Sequence, residues 1–340
     1  MEAANREVVG GPLTKTMRAA IQSAYGPAHQ VIEVTEAPIP AIEPDRVLVE
    51  VAAASINALD FHYMTGTPRV ARLDMGLSRP KRTIPGADIA GTVVAIGGDV
   101  TDLRVGDEVF GEVGGGGFAE YASPRASLLA PKPENVTLEE ASTLGVAALT
   151  ALQGLRDWGQ LQDGQRVLIN GGSGGVGTFA IQIAKALGAG HVTAVCSTNN
   201  VDTALSLGAD RVIDYTREDF TTLDDRFDLF YDNAGSKPLG QSRRMLKDDG
   251  VLVMVTGKKG GWIRPVDRMI GGVVRSRFWS QRFVSRTARA DRTDLLVLKE
   301  MVESGRVKPV IDRRFSLDEA AEALAYQSEG HARGKSVVIP

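Results

Sequence analysis

The sequence predicts an α/β protein with two parts, a small β-barrel-like domain followed by a doubly wound parallel sheet. From residue 166 onward, short apolar runs alternate with amphipathic segments of helical period, which is typical of parallel strands joined by crossover helices. A cluster of glycines joins the first of these strands to its helix. Before residue 128, short strand-like runs are separated by Gly and Pro at regular spacing, which favours a small barrel.

The composition is that of a globular protein of two domains. The chain has 340 residues, of which 43% are hydrophobic and 24% charged, enough for two separate cores. The net charge of −3 argues against a nucleic-acid partner, and no apolar run reaches the ~20 residues of a membrane span. The single cysteine, Cys196, excludes an intrachain disulfide and fits a reducing compartment. We expect a cytoplasmic enzyme whose residues 1–16, which lack the apolar segment of a secretory signal, form a mobile leader.

The first part of the chain is predicted to be built from short strands. A polar and aromatic turn or short helix is expected at 55–66 and an irregular loop at 67–82. Pro131 and Pro133 end this part, because proline cannot donate to a strand ladder. The strands are expected at 17–21, 31–34, 47–54 and 105–110, with a strand pair within 83–97.

The second part is predicted to alternate strands and helices. Thr137 and Glu140 have the spacing of a capping box, so a helix is expected over 138–155. Residues 260–289 carry no clean period. The other strands are expected at 166–170, 191–196, 211–213, 227–231, 251–255, 310–315 and 336–339, and the other helices at 176–187, 202–207, 239–247, 294–302 and 317–326.

A glycine series lies between the strand at 166–170 and the helix after it. Gly172, Gly174 and Gly177 have the spacing Gly-x-Gly-x-x-Gly, which is typical of a dinucleotide-binding turn in this position. Glycine lets the backbone approach a pyrophosphate without a Cβ in the way. The first N–H groups of the helix are unpaired and favour an anion. This turn therefore predicts a bound dinucleotide.

The residues after the second parallel strand favour NADP(H) over NAD. About twenty residues past the glycines, an NAD site usually has an acidic residue for the ribose 2′-hydroxyl. Here residues 197–200 read Ser-Thr-Asn-Asn, and the first acid is Asp202. Hydroxyls and amides can donate to a 2′-phosphate, whereas a carboxylate would repel it. The alternative is a polar turn that binds neither nucleotide strongly, since the turn contains no Arg.

Three loops are expected to face the cofactor, because ligands of such sheets lie at the carboxyl ends of the strands. They are residues 171–177, 232–235 and 256–257. Asn233 is suited to a hydrogen bond with a ribose, or it is a turn former before Gly235. Residues 330–335 form a basic turn ahead of the last strand. Its charged groups either bind phosphate oxygens of the cofactor or are simply exposed to solvent.

Taken together, the motifs resemble those of the medium-chain dehydrogenase/reductase superfamily. They are Ile84-Pro85-Gly86-x-Asp88-x-Ala90-Gly91, Gly106-Asp107-Glu108-Val109, Gly117-Phe118-Ala119-Glu120-Tyr121, Gly172-Ser173-Gly174-Gly175-Val176-Gly177 and Gly330-His331-Ala332-Arg333-Gly334-Lys335. Within the superfamily the chain resembles the zinc-free quinone oxidoreductase branch, near the reticulon-4-interacting-protein-like NADPH reductases. The resemblance implies a GroES-like catalytic domain (17–137), a Rossmann nucleotide-binding domain (138–285) and a C-terminal return to the catalytic domain (286–340).

The ligands of a catalytic zinc are missing from the sequence. Zinc-dependent relatives have an early Cys, a Gly-His-Glu motif and a four-Cys lobe, whereas this chain has Ser55-Ile56-Asn57 and Gly86-Ala87-Asp88 at the first two places. A zinc site needs about three protein ligands, mostly Cys and His. The histidines at 29, 62, 191 and 331 are scattered. We therefore predict no metal.

The resemblance also implies the site residues. Asn57 and Asp60 match an Asn-x-x-Asp pattern of the catalytic end, where Asn57 would orient the substrate carbonyl through its amide donors. Asp60 is either catalytic or only the cap of a short helix, and Tyr63 and His62 are candidate proton donors. The expected cofactor contacts are Ser173, Gly174, Gly175 and Val176 at the pyrophosphate, Ser197 and Tyr215 near the 2′-phosphate, Asn233 on the nicotinamide side, and His331, Ala332 and Arg333 closing over the cofactor. Thr256, in the third loop that faces the cofactor, is a further candidate contact.

The predicted function is zinc-independent, NADPH-dependent hydride transfer to a quinone or an α,β-unsaturated carbonyl. Without a metal, hydrogen bonds must stabilise the developing oxyanion, and conjugation in these acceptors lowers that demand. One alternative is an NADPH-binding sensor or partner-binding module with little turnover. Another is a dehydrogenase-like lyase or acyl-chain reductase. The family resemblance implies a homodimer, often formed through edge strands of the Rossmann sheet, which this sequence does not itself show.

Overall fold

The computed structural model describes residues 15–255, 271, 279–330 and 332–340. Its strands are β1 Thr16–Gln22, β2 Ile32–Pro38, β3 Val47–Ser55, β4 Asp88–Ile96, β5 Glu108–Glu112, β6 Tyr121–Ala122, β7 Leu129–Pro131, β8 Arg166–Asn170, β9 His191–Cys196, β10 Arg211–Asp214, β11 Phe227–Asp232, β12 Leu246–Met254, β13 Arg282–Val284, β14 Ile311–Ser316 and β15 Lys335–Ile339.

The helices lie between these strands. They are α1 Ala28–Val31, α2 Ala58–Thr65, α3 Arg72–Met75, α4 Leu138–Ser142, α5 Val146–Gln153, α6 Gly175–Ala186, α7 Val201–Ser206, α8 Leu239–Arg244, α9 Arg292–Glu303 and α10 Ala320–Glu329. A π-helical turn, Gly154–Trp158, continues α5. None of the described helices combines the length and apolar character needed to cross a membrane.

Two large sheets organise the part of the chain that the structure describes. A six-stranded sheet has the order β10-β9-β8-β11-β12-β13, and all of its neighbouring strands are parallel. A seven-stranded sheet has the order β14-β15-β3-β4-β5-β7, with β6 paired to β3. The C-terminal strands β14 and β15 thus complete a sheet that starts near the N-terminus. The predicted α/β class, with a barrel-like sheet and a doubly wound parallel sheet, is confirmed, while the domain limits stay a prediction.

Most predicted elements are confirmed, but several are corrected, among them the helix expected at 239–247, which ends at Arg244 because β12 begins at Leu246. Residues 83–97 hold one continuous strand of nine residues, β4, rather than a pair, and its partners are the distant strands β3 and β5. Residues 67–82 contain the helical turns Arg69–Ala71 and α3 rather than only irregular loop. Val31 ends the short helix α1 instead of starting a strand.

The predicted helix over 138–155 begins at the expected capping box of Thr137 and Glu140 but is interrupted. It breaks into α4 and α5 at residues 143–145. The reason is a contact with β4, because the backbone N–H of Val146 donates to Asp88 Oδ1 at 2.9 Å. A Cβ on Gly145 would lie 2.3 Å from that same oxygen. The break therefore lets a buried carboxylate cap α5.

Helix α5 and the π-helical turn pack against the centre of the parallel sheet. Tyr231 on β11 is fully buried, and its hydroxyl donates to the carbonyl of Thr150 at 3.0 Å. Burial raises the pKa of Tyr231, so the phenol stays neutral. A Cβ on Gly154 would lie 2.4 Å from Cε2 of this ring. The sequence thus needs glycine where the helix crosses the ring.

We predict that Gly154→Ala lowers the free energy of unfolding by about 1–3 kcal/mol, because the added methyl group overlaps a rigid buried ring. Gly240→Ala is the matched control, since Gly240 lies in α8 with no other atom within 4 Å of an added Cβ. It should be neutral or stabilising by up to about 1 kcal/mol. Urea unfolding of both variants measures the difference, and equal stabilities would contradict this packing.

Candidate active site

The glycine turn after β8 has the geometry of a phosphate cradle. Gly174 is the N-cap of α6, with φ −78° and ψ 173°. A Cβ on Gly177 would lie 2.0 Å from the carbonyl oxygen of Gly171, so only glycine allows the helix to start this close to the turn. The first N–H groups of a helix have no intrahelical acceptor. They leave the N-terminus of α6 suited to an anion.

The open side of the turn fits a pyrophosphate. The nearest atom to a Cβ built on Gly174 is 3.8 Å away, which leaves its outer side open. Ser173, Gly174, Gly175 and Val176 together form this edge. The residues present therefore fit a dinucleotide, and their contacts with it stay a prediction.

The ends of β9 and β10 bring Ser197 and Tyr215 to the same edge of the sheet. Ser197 Oγ accepts a hydrogen bond from Asn200 Nδ2 at 2.8 Å, and Tyr215 is 58% exposed. The parallel register pairs Asp214 with Cys196, a neighbour of the site that the sequence alone did not indicate. Thr198 Oγ1 donates to Asp214 Oδ2 at 2.5 Å, and this bond lowers the pKa of Asp214. A carboxylate from the next strand thus lies beside the polar turn.

The end of β11 positions Asn233. Its N–H donates to the carbonyl of Asn170 at 3.1 Å. Fully buried Asp232 accepts from Asn170 Nδ2 at 2.8 Å and from the N–H of Gly235 at 2.9 Å. The turn is therefore fixed by Asp232, and Asn233 stays partly exposed at the edge of the sheet. Its contact with a ribose stays a prediction.

The closing tail is described only in part. Arg333 is exposed, and its N–H donates to Asp312 Oδ2 at 3.0 Å. Ala332 is partly buried. Thr256 and His331 lie outside the described residues. The predicted closure of the tail over the cofactor stays a prediction.

Asn57 and Asp60 cap α2 and are both buried. The carboxylate of Asp60 accepts from the N–H of Asn57 at 2.8 Å and from the N–H of Gly86 at 3.1 Å. Asp60 is 3% exposed, and burial raises its pKa to about 7. The bond from Asn57 is the capping interaction that the sequence offered as the alternative to a catalytic role, and the bond from Gly86 ties Asp60 to the segment before β4.

The side chain of Asn57 has a partner on each side. Nδ2 donates to Asp88 Oδ2 at 2.8 Å and, more weakly, to the carbonyl of Ser55 at 3.4 Å. Oδ1 accepts from Lys335 Nζ at 2.5 Å. A substrate carbonyl would therefore have to displace the contact with Ser55 to reach an amide hydrogen of Asn57.

Asp88 and Lys335 form a buried polar cluster with Asn57 that the sequence analysis did not assign. Asp88 is fully buried and Lys335 is 2% exposed. Asp88 also accepts from Ser55 Oγ at 2.9 Å, and Lys335 Nζ also donates to the carbonyl of Ile56 at 2.8 Å. Burial raises the pKa of Asp88 and lowers that of Lys335, although each group's charge opposes this in the other. The only sequence signal for Lys335 was its place in the basic turn at 330–335, and such a turn predicts an exposed side chain rather than a buried one.

A third carboxyl group lies beside the cluster. Glu112 on β5 is directly opposite Asp88 in the antiparallel register. Burial, and then the nearby charge of Asp88, raise the pKa of Glu112 to about 8. Glu112 therefore holds a proton at neutral pH.

The two candidate proton donors follow Asp60 on α2. Tyr63 is partly exposed, and the guanidinium carbon of Arg82 lies 5.4 Å from the centre of its ring. His62 is also partly exposed, and its Nδ1 lies 2.8 Å from the carbonyl oxygen of Thr67. This contact favours a hydrogen on Nδ1. The roles of both residues stay predictions.

Comparison with known proteins identifies the family. Residues 43–134 match the "Alcohol dehydrogenase GroES-like domain" family and residues 207–338 match the "Zinc-binding dehydrogenase" family. The chain is 34% identical to the NADPH-dependent alkenal/one oxidoreductase, chloroplastic, of Arabidopsis thaliana, over 96% of this chain and 81% of that protein. It belongs to the medium-chain dehydrogenase/reductase superfamily. The predicted superfamily is confirmed.

Two further similarities support the predicted branch of the medium-chain dehydrogenases/reductases. The chain is 34% identical to the mitochondrial NAD(P)H oxidoreductase RTN4IP1 of Mus musculus, over 87% of this chain and 82% of that protein. The structure of the quinone oxidoreductase from Coxiella burnetii superposes with a TM-score of 0.84 at 30% identity, covering 96% of this chain and 100% of that one. The predicted branch, with quinone oxidoreductases and RTN4IP1-like reductases, is confirmed.

Where zinc-dependent medium-chain dehydrogenases have the Gly-His-Glu motif, this chain has Gly86-Ala87-Asp88, and Asp88 belongs to the buried cluster. Asp88 receives hydrogen bonds from Ser55, Asn57 and Val146, so its oxygens bind donors of the protein. Among the described residues, no group of three or more His, Cys, Asp and Glu side chains could hold a metal ion.

We predict that stability falls between about pH 4.5 and pH 8, because Glu112 keeps its proton in the folded protein while the same side chain ionises in the unfolded chain. Its folded-state pKa of about 8 lies above the ordinary 4.5, so its contribution is present in full below pH 4.5 and is lost as pH rises through about 8. Glu112→Gln should therefore be more stable than the wild type at pH 9, by about 1 kcal/mol after solvent screening, and similar near pH 5. Urea midpoints at both pH values measure this.

The matched control is Glu108→Gln, at the exposed start of the same strand. It should leave the pH dependence of the wild type unchanged. A Glu112→Gln protein that destabilises with pH as steeply as the wild type would refute the assignment.

Proposed function

We propose that this protein is a zinc-independent, NADPH-dependent oxidoreductase that transfers hydride to a quinone or an α,β-unsaturated carbonyl. The observation that carries the proposal is the open phosphate cradle at Gly174, on the same chain as a buried hydrogen-bonding cluster around Asn57. The similarity to an NADPH-dependent alkenal/one oxidoreductase and to an NAD(P)H oxidoreductase supports the cofactor and the reaction.

The residues of the cradle would hold the cofactor, which when bound supplies the hydride. The N–H groups at the start of α6 receive the pyrophosphate. Ser197 and Tyr215 lie at the ends of neighbouring strands, where they can donate to a 2′-phosphate. Fixing the nicotinamide against the acceptor is the main contribution of the protein, since proximity removes much of the barrier.

On the acceptor side, the chain must supply hydrogen bonds and a proton. Quinones and conjugated carbonyls spread the developing negative charge, so hydrogen-bond donors stabilise it without a strong Lewis acid. Tyr63 and His62 both carry exchangeable protons and are partly exposed. They are the residues that we propose for donating the proton. Asn57 would act on the acceptor only after releasing Ser55.

The occupied amide of Asn57 favours a second candidate function. Since both of its amide hydrogens already have acceptors in Asp88 and Ser55, the cluster could serve as scaffold alone. The protein would then be an NADPH-binding sensor or partner-binding module with little turnover.

We also propose a cytoplasmic location and a homodimer. The short strand β13 is one of the two edge strands of the parallel sheet in the described part of the chain, and an edge strand can pair with a strand of a second copy. Sedimentation of the purified protein tests the dimer. A monomer at micromolar concentration would refute it.

The deciding experiment follows absorbance of NADPH and NADH with a panel of quinones, enals and enones. We expect NADPH to be consumed with at least one acceptor class, and ethanol with NADP⁺ to give no reaction. Tight NADPH binding without consumption would favour the binding module. Ready ethanol oxidation with no activity on the panel, or stoichiometric zinc by elemental analysis, would refute the proposal.

Two glycine variants separate the cradle from the fold. Gly174→Ala should leave stability within about 0.5 kcal/mol, because its φ suits alanine and the nearest atom is 3.8 Å away. Its methyl group would narrow the cradle and weaken NADPH binding about tenfold or more. Gly177→Ala should lose stability as well, because its Cβ overlaps Gly171. Fluorescence titration and urea unfolding measure both properties, and unchanged NADPH affinity in Gly174→Ala would contradict the cradle.

A further inference from the structure

Lys335 touches both the nucleotide turn and the loop that carries Asn57. It is the first residue of β15, which pairs with the end of β3 through Val337 and Ser55. A Cβ built on Gly175, at the start of α6, would lie 2.8 Å from Cδ of Lys335. The stem of the lysine therefore lies against the turn that fits the pyrophosphate.

The ammonium end of Lys335 binds the loop at the end of β3. Nζ donates to the carbonyl of Ile56 at 2.8 Å and to Asn57 Oδ1 at 2.5 Å. Asn57 in turn donates to Asp88 and is the N-cap of α2. One side chain thus joins the glycine turn to the start of the helix that carries Tyr63.

The burial of Lys335 makes this link stiff. At 2% exposure its ammonium has little water to replace lost partners, and leaving a buried charged group unpaired is costly. The negative charges that face it are Asp88 on β4 and Asp60 on α2, and both favour its protonated form. The ammonium is therefore held by two acceptors of the Ile56–Asn57 loop, and the charges of Asp88 and Asp60 add to the attraction.

We propose that Lys335 is a positioning residue that couples the nucleotide turn to the Ile56–Asn57 loop. Cofactor bound against Gly175 restrains the stem of Lys335, and its ammonium then fixes the loop and α2 next to the acceptor. The part that concerns catalysis rests on the proposed function.

The test replaces Lys335 by Met, which keeps most of the stem and removes the ammonium. Lys132→Met is the matched control, because Lys132 is also a largely buried lysine, 12% exposed in its side chain, whose Nζ donates to the carbonyls of Pro133 and Val136. We expect Lys335→Met to lower kcat about 10- to 100-fold, the effect of a small misplacement, with NADPH affinity within about threefold. Lys132→Met should keep kcat.

Hydrogen–deuterium exchange gives a readout that needs no turnover. In the wild type, NADPH should slow exchange of the peptide spanning residues 55–64. In Lys335→Met this peptide should exchange faster even without NADPH, and NADPH should no longer protect it, whereas Lys132→Met should match the wild type. Exchange in Lys335→Met equal to that of the wild type would overturn the proposal.

A double variant covers the case in which Lys335→Met fails to fold because Asp88 is left unpaired. Asp88→Asn with Lys335→Met removes both buried charges. We expect kcat to stay low and the 55–64 peptide to stay exposed to exchange. If the double variant has the kcat of the wild type and its 55–64 peptide is protected from exchange, the loop requires only that no unpaired charge is buried beside it. That result refutes the coupling through Lys335.

The two proposals fail in different ways. The proposed function is refuted if the wild-type protein fails to consume NADPH with every acceptor of the panel. In that case the exchange experiment still decides whether Lys335 fixes the loop. Normal turnover in Lys335→Met refutes the coupling and leaves the proposed function standing.

Discussion

The arrangement of the candidate site depends on the buried hydrogen bonds that Asn57 makes between Lys335 and Asp88. Burying an ammonium and a carboxylate costs several kcal/mol for each ion unless hydrogen bonds replace the lost water. Here the carboxylate of Asp88 receives three donors, from Ser55, Asn57 and Val146. The ammonium of Lys335 has two acceptors within 2.8 Å. The cluster is therefore satisfied as a unit, and removal of any member leaves a buried group unpaired.

This constraint explains features of the fold that otherwise look unrelated. Helices α4 and α5 are separate because the N-terminus of α5 meets Asp88, and Gly145 leaves room for that carboxylate. The last strand, β15, must return to β3 for Lys335 to reach Asn57, 278 residues away along the chain. The helix dipole of α5 also favours the charge on Asp88. The break between α4 and α5 and the return of β15 to β3 are thus both linked to Asp88, the first directly and the second through Asn57.

The sequence predicted the local parts of the site well and the long-range parts poorly. The glycine turn at 172–177 was predictable because its requirements, a strand, glycines and a helix, all lie within one short stretch. The capping role of Asp60 was also visible, since a cap needs only the spacing from Asn57. The partners of Asp88, in contrast, come from β3, the N-cap of α2 and the start of α5, which lie 31 to 58 residues away along the chain. Lys335 resembled a surface residue of a basic turn, because nothing in its neighbours reveals that the strand is central.

At the turn after β9, where the adenosine 2′-phosphate is expected, the sequence again did not predict a neighbour from another strand. This neighbour bears on the choice between NADPH and NADH. The residues that follow β9 in the sequence carry hydroxyls and amides. Asp214 lies beside them only because β10 pairs with β9 in parallel register, which the order of residues does not show. Its carboxylate accepts from Thr198 and Thr216 and lies 3.4 Å from Nε of Arg217. A 2′-phosphate at this corner would compete with Asp214 for Arg217, and a guanidinium binds phosphate as well as carboxylate. Arg217 therefore already has a carboxylate partner at the corner where we propose that a 2′-phosphate binds, and the order of residues after β9 does not reveal that partner.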